Sequence, residues 1–221
     1  MKYRFFASIL FLSIFLIPLY PQNDANTSAL NMLANELFPE SDENETAMRK
    51  AFISVPRADY LEGTYKNLAY RDLPLPAGGG LIHPAPSLIA SILKEASISD
   101  STRVFLIGRN TSYISEIISK LTNFLYVSDP GLSADPNEIN YQGKKNLSYF
   151  GWIEDSPFNL IIIFGSLNEI PRSLVNQLSI NGKIIAPLES QTGNQILVSA
   201  VKYNDGFSIK SIGPSYIHKL Q

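Results

Sequence analysis

The chain of 221 residues contains no cysteine and only two histidines, His83 and His218. Without thiols there is no disulfide scaffold, thiolate zinc cluster, iron–sulfur centre or thiol nucleophile. Two histidines leave little for a histidine-based metal site. Charge is also sparse: Asp, Glu, Lys and Arg make up 17% of the residues, and the net charge is −2. A near-neutral chain carries no basic footprint for nucleic acid. Internal repeats and low-complexity tracts are missing as well. What is abundant is apolar: 45% of the residues are hydrophobic, enough for a sizeable core at this length.

The first 22 residues read as an address. Lys2 and Arg4 precede Phe5–Tyr20, a run with no charge. A basic start before an apolar stretch is the pattern of a secretory signal. Sixteen residues of helix span about 24 Å, short of a hydrocarbon core of about 30 Å. Pro18 interrupts the run, and small residues are missing at the usual cleavage positions. A cleaved signal, an uncleaved N-terminal anchor and a buried helix are the three readings. The first two put the rest of the chain outside the cytoplasm, with membrane contact only through this segment. No lipobox cysteine is present.

Residues 23–45 form an acidic segment with six acids and no base. Within it, Ala29–Leu37 has helical apolar spacing and Pro39 ends the helix. Its acidity reads as a solvated face. Asn44 or Thr46 is the expected cap of a second helix, Ala47–Ser54. A Pro/Gly-rich loop, Leu73–Pro86, precedes a helix from Ser87. Thereafter strands and helices alternate. Strands are expected at Arg103–Gly108, Phe124–Asp129, Asn146–Phe150, Leu160–Gly165 and Lys183–Glu189. Helices are expected from Tyr113 and from Pro171, the latter with proline in its first turn. Gln195–Asp205 and Phe207–Gly213 read as a hairpin turning at Asp205-Gly206. This alternation predicts an α/β fold with a mainly parallel central sheet, helices on both faces and an antiparallel hairpin at the C-terminal edge. In such sheets ligands bind beyond the carboxyl ends of the strands, here near the turn Gly108–Tyr113.

Several short motifs in one order resemble the protein-L-isoaspartate O-methyltransferase family. They are Val55-Pro-Arg57 with Tyr60-Leu61, Ala69-Tyr-Arg-Asp72-Leu-Pro-Leu-Pro76, Gly78 and Gly80. Further on come Gly151-Trp152 through Asn159, Ile170-Pro171, Gln177-Leu178 and Asn181–Pro187. The resemblance runs from about Thr46 to the C-terminus, giving a methyltransferase-like domain over 46–221. It implies the Rossmann-like class I methyltransferase fold and methylation of L-isoaspartyl carboxylates from S-adenosylmethionine.

Residue by residue, the match to that chemistry thins. The family's acid on the first strand falls on Leu106, and its three turn glycines fall on Gly108, Asn110 and Ser112. The ribose-holding acid falls on Ser128, with Asp129 one residue later; Asp129 serves only if the strand ends early, and otherwise begins a loop. The acid near the adenine falls in Asn146-Leu147-Ser148. In the substrate loop, Leu81, Ile82 and Pro84 stand where the family has Gln, Thr and Ser, so the hydroxyl pair is absent. Each lost charged contact is worth about 1.5–3 kcal/mol, against roughly 8 kcal/mol for micromolar binding. The expectation is therefore a degenerate cofactor site with Gly108, Ser112 and Asp129 as vestiges. No cofactor and no catalytic residue are expected. A substrate groove formed by Asp72, Gly78, Gly80 and His83 is retained for a peptide or protein ligand. Asp72 reads as a loop-bracing carboxylate and His83 as a structural residue. The alternative is a divergent but active S-adenosylmethionine-dependent carboxyl methyltransferase using Asp129 and His83. A third reading has Arg109 and the helix start at Thr111 gripping an anion.

Overall fold

The computed structural model describes residues 22–39, 41–132, 141–145 and 150–220. The apolar run at 5–20, with the signal or anchor read from it, lies outside these residues. So does the strand expected from Asn146, whose residues 146–149 are not described.

Seven strands form one sheet. In chain order they are β3 (Arg103–Gly108), β4 (Phe124–Ser128), β5 (Gln142–Lys144), β6 (Phe158–Phe164), β7 (Leu178–Glu189), β8 (Gln195–Tyr203) and β9 (Gly206–Ser215). Their spatial order is β5-β4-β3-β6-β7-β8-β9. The first five run parallel, and β8 and β9 return antiparallel. A separate two-stranded ribbon, β1 (Leu75–Pro76) and β2 (Ile82–His83), occupies the Pro/Gly-rich loop. The chain reverses direction of travel across the sheet at β3, between β4 and β6, so a crevice opens beyond the carboxyl ends of β3 and β6.

The strands read as continuous apolar runs because both faces are covered. On β3, Val104 and Leu106 enter the core beneath helices α1 (Gln22–Leu37), α2 (Glu43–Ser54), α3 (Pro86–Ala96) and α4 (Ser112–Ser119). Phe105 and Ile107 point the other way, among Trp152, Phe158 and Leu174 of the short helix α5 (Arg172–Asn176). Leu30, Leu33 and Phe38 of the acidic N-terminal segment lie in the same core as Ile89 and Ile114.

Four local expectations are corrected. Helix α2 begins earlier than Ala47 and is capped by Asp42, whose side chain accepts the Glu45 N–H at 2.8 Å. Pro171 caps α5 rather than entering its first turn, because its backbone is extended (φ −61°, ψ 129°). Asn181-Gly182 lies within β7 rather than before it, with Asn181 at φ 62° and a register shift opposite β6. The closing hairpin turns at Asn204-Asp205, since Tyr203 already pairs with Gly206.

Candidate functional site

The site grows from the bend after β3. A Cβ on Gly108 would lie 2.5 Å from the Phe164 carbonyl oxygen, so only glycine lets β3 and β6 end side by side. Asn110 follows at φ 56°, a left-handed conformation that asparagine tolerates better than most residues. Ser112 is the first residue of α4.

Asp129 closes this bend from the neighbouring strand. Strand β4 ends at Ser128, one residue short of the expected Phe124–Asp129, and Asp129 is the first residue beyond it, 1% exposed. Its Oδ2 accepts the Thr111 N–H at 2.7 Å and the Thr111 hydroxyl at 2.8 Å. Its Oδ1 accepts the Gly131 N–H at 2.7 Å. Both carboxylate oxygens are thus engaged by the protein itself. Charge-assisted bonds of this kind are the stronger class. The bonds tie the β3–α4 turn to the β4 exit. The Thr111 N–H, one of the donors at the start of α4, is thereby taken by Asp129.

The second wall comes from the ribbon. Gly78 and Gly80 sit at φ 79° and 77°, which lets β1 fold back on β2 in a short turn. Arg57 holds this ribbon in place. It is 1% exposed and donates to five carbonyls, those of Ala69, Arg71, Leu73, His83 and Pro84. Burial pulls its pKa down from the ordinary arginine value, opposed by electrostatic interaction with Tyr113 and Asp72. Asp72 lies at the start of α3, where it accepts the Ser87 N–H at 2.8 Å and so braces the helix end of the same loop.

His83, at the end of β2, is 6% exposed. Burial and then the Arg57 charge push its pKa down to about 4, against a hydrogen bond to the Tyr60 backbone, so the ring is neutral near pH 7. Asn110 reaches both the Ile82 carbonyl (3.4 Å) and the His83 ring (3.5 Å). The other histidine, His218, arrives from the C-terminal segment and accepts the Ile82 N–H on Nδ1 at 3.4 Å. It too is held below the usual histidine value, by burial and by Arg109. The sequence reading passed over His218. The signal available was its rarity: the chain's two histidines meet at one bend. His218 is carried by a strap, Ile217–Leu220, that crosses the ends of β6 and β7. Ser166 bonds the His218 carbonyl and the Leu220 N–H, and Lys219 pairs with Glu189 at 2.9 Å.

Between the bend, the ribbon and the 3-10 turns at 57–60 and 63–68 lies a cavity of about 450 Å³. Tyr60, Glu62, Tyr65, Gly78, His83 and Asn110 line it, with Pro76 and Ala77. Of the residues expected to form a groove, Gly78 and His83 are brought together here. Gly80 lines a neighbouring, more apolar hollow with Leu81, Ile82 and Tyr216, and Asp72 lies on neither wall.

The sequence profile of the protein-L-isoaspartate(D-aspartate) O-methyltransferases matches residues 28–128 and 134–216. The chain belongs to that family. A protein-L-isoaspartate O-methyltransferase of Gloeobacter violaceus is 29% identical over 173 residues, covering 74% of this chain and 84% of that protein. One from Ignicoccus hospitalis is 25% identical over 194 residues, covering 82% and 92%. A solved protein-L-isoaspartate O-methyltransferase structure superposes with a TM-score of 0.75 at 19% identity, covering 88% of this chain and 66% of that one. A second, from Plasmodium falciparum and described as a putative enzyme of this kind in complex with S-adenosyl-L-homocysteine, gives 0.68 at 18%, covering 87% and 98%. The fold is that of the class I methyltransferases.

Against the needs of a nucleoside cofactor, the bend fits in part. Gly108 and the left-handed Asn110 preserve the close backbone approach. The carboxylates do not fit. Leu106 is fully buried in the core, Ser128 has no charge, and Asp129 is spent on Thr111 and Gly131. Among the described residues of the crevice, no free acid remains to hold a ribose diol.

Proposed function

We propose that this protein is a catalytically silent, exported member of the isoaspartyl methyltransferase family, retained to bind a peptide or protein segment in the cavity beside the Gly78 ribbon. The observation that carries the reading is the engagement of Asp129. Among the described residues, the one acid near the ribose position braces the turn, and the hydroxyls of the family's substrate loop are replaced by Ile82 and Pro84. The N-terminal apolar run supports export, and a chain outside the cytoplasm meets little S-adenosylmethionine.

A second reading is favoured by the preserved bend at Gly108 and Asn110 and by the relatives' names. In it the protein is a divergent S-adenosylmethionine-dependent protein carboxyl methyltransferase. Calorimetric titration of S-adenosylmethionine into the purified protein, with transfer of labelled methyl to an isoaspartyl peptide, separates the two. No binding and no transfer is the outcome expected here. A dissociation constant below about 50 µM with measurable transfer replaces the first reading by the second. Cell fractionation tests the export.

A further inference from the structure

The cavity's charge says more than its position. Glu62 is the one acidic residue among those lining it, beside the rings of Tyr60 and Tyr65 and the neutral His83. Resting on the reading that this cavity holds a peptide, we propose that it takes a cationic side chain, the lysine or arginine of an extended partner segment, and not a carboxylate.

A carboxylate here meets Glu62 across the same space and lacks a cation to pair with. The Arg57 guanidinium is buried beneath the ribbon, its terminal nitrogens donate to five carbonyl oxygens, and it is not among the lining residues. The Asn110 amide is committed to Ile82 and His83. Arg109, on the bend, lies against His218 and is not among the lining residues. The Tyr60 hydroxyl is pushed up to about 12, first by burial, so its ring enters the cavity uncharged. Aromatic rings flanked by a carboxylate suit ammonium and guanidinium groups, which gain from the ring quadrupole as well as from the charge.

The test uses the full chain and three labelled pentapeptide amides, acetyl-Ala-Ala-Xaa-Ala-Ala, with lysine, norleucine or L-isoaspartate at the centre. Fluorescence anisotropy gives the affinities. Lysine is expected to bind about tenfold more tightly than norleucine, with isoaspartate weakest. Glu62→Gln reduces the lysine preference to about twofold without lowering the melting temperature, because Glu62 is exposed. Tightest binding of isoaspartate overturns the charge assignment and leaves the peptide reading standing. Equal binding of lysine and norleucine, or a lysine preference indifferent to Glu62→Gln, does the same. Failure of all three peptides to bind overturns both.

Discussion

A buried carboxylate with both oxygens bonded to its own chain behaves differently from one awaiting a ligand. Asp129→Ala leaves the Thr111 N–H and hydroxyl and the Gly131 N–H without an acceptor, and an expected loss of about 2–3 kcal/mol follows. Thr111→Val keeps the backbone donor and is expected to cost about 1 kcal/mol. Urea unfolding of both variants checks the pair, and a neutral Asp129→Ala contradicts the bracing role. His83 adds a pH dependence. Its folded value is about 4, below an unfolded value near 6.5, so the unfolded chain binds the extra proton first. The stabilising contribution is therefore complete above about pH 6.5 and is lost as pH falls towards 4, by roughly 1–3 kcal/mol after solvent screening. Unfolding midpoints measured from pH 7 to 4 are expected to fall less steeply in His83→Gln. The losses at Leu106 and Ser128 were legible from the sequence as changed residue types. The engagement of Asp129 was not, because it depends on where β4 stops, a matter of one residue. The rarity of histidine marked His218, but not its place: only the fold brings the end of the chain to Ile82.

Among the elements, strands β3 and β6 were readable because a sheet covered on both faces leaves an unbroken apolar run. Strand β5 was not, since Gln142-Gly-Lys144 is polar and pairs only at the sheet's edge. The 3-10 turns that wall the cavity also left no periodic trace, as they have few buried side chains to place in register. The ribbon of β1 and β2 hid in a loop that composition marks only as rich in proline and glycine. Its shape rests on Arg57, the largest fully buried side chain among the described residues. Arg57→Met removes five carbonyl contacts and leaves those oxygens buried. A loss of about 3–5 kcal/mol is expected, with faster hydrogen exchange over residues 69–84. Loss of stability without faster exchange in that span contradicts its role as the ribbon's clamp.

At the scale of the molecule, family motifs fixed the architecture early, and the strap was the feature they did not describe. Ile217 and Leu220 are 2% and 6% exposed, and Leu220 packs against Gly165 at the exit of β6. Deleting residues 217–221 removes two buried apolar side chains, Ile217 and Leu220, and takes from the Ile82 N–H its acceptor on His218. An expected loss of about 3–5 kcal/mol follows from the apolar area alone, seen as a lower melting temperature. A folded, equally stable truncation contradicts the packing described.

The carboxylate at position 129 has one more consequence. A methyltransferase that relies on its nucleoside to tie two strand ends together loses rigidity when that molecule is dialysed away. Here the tie is a set of hydrogen bonds between residues of one chain. Exhaustive dialysis and dilution should leave the thermal transition where it was, since an ordering contact built into the sequence has no concentration to lose.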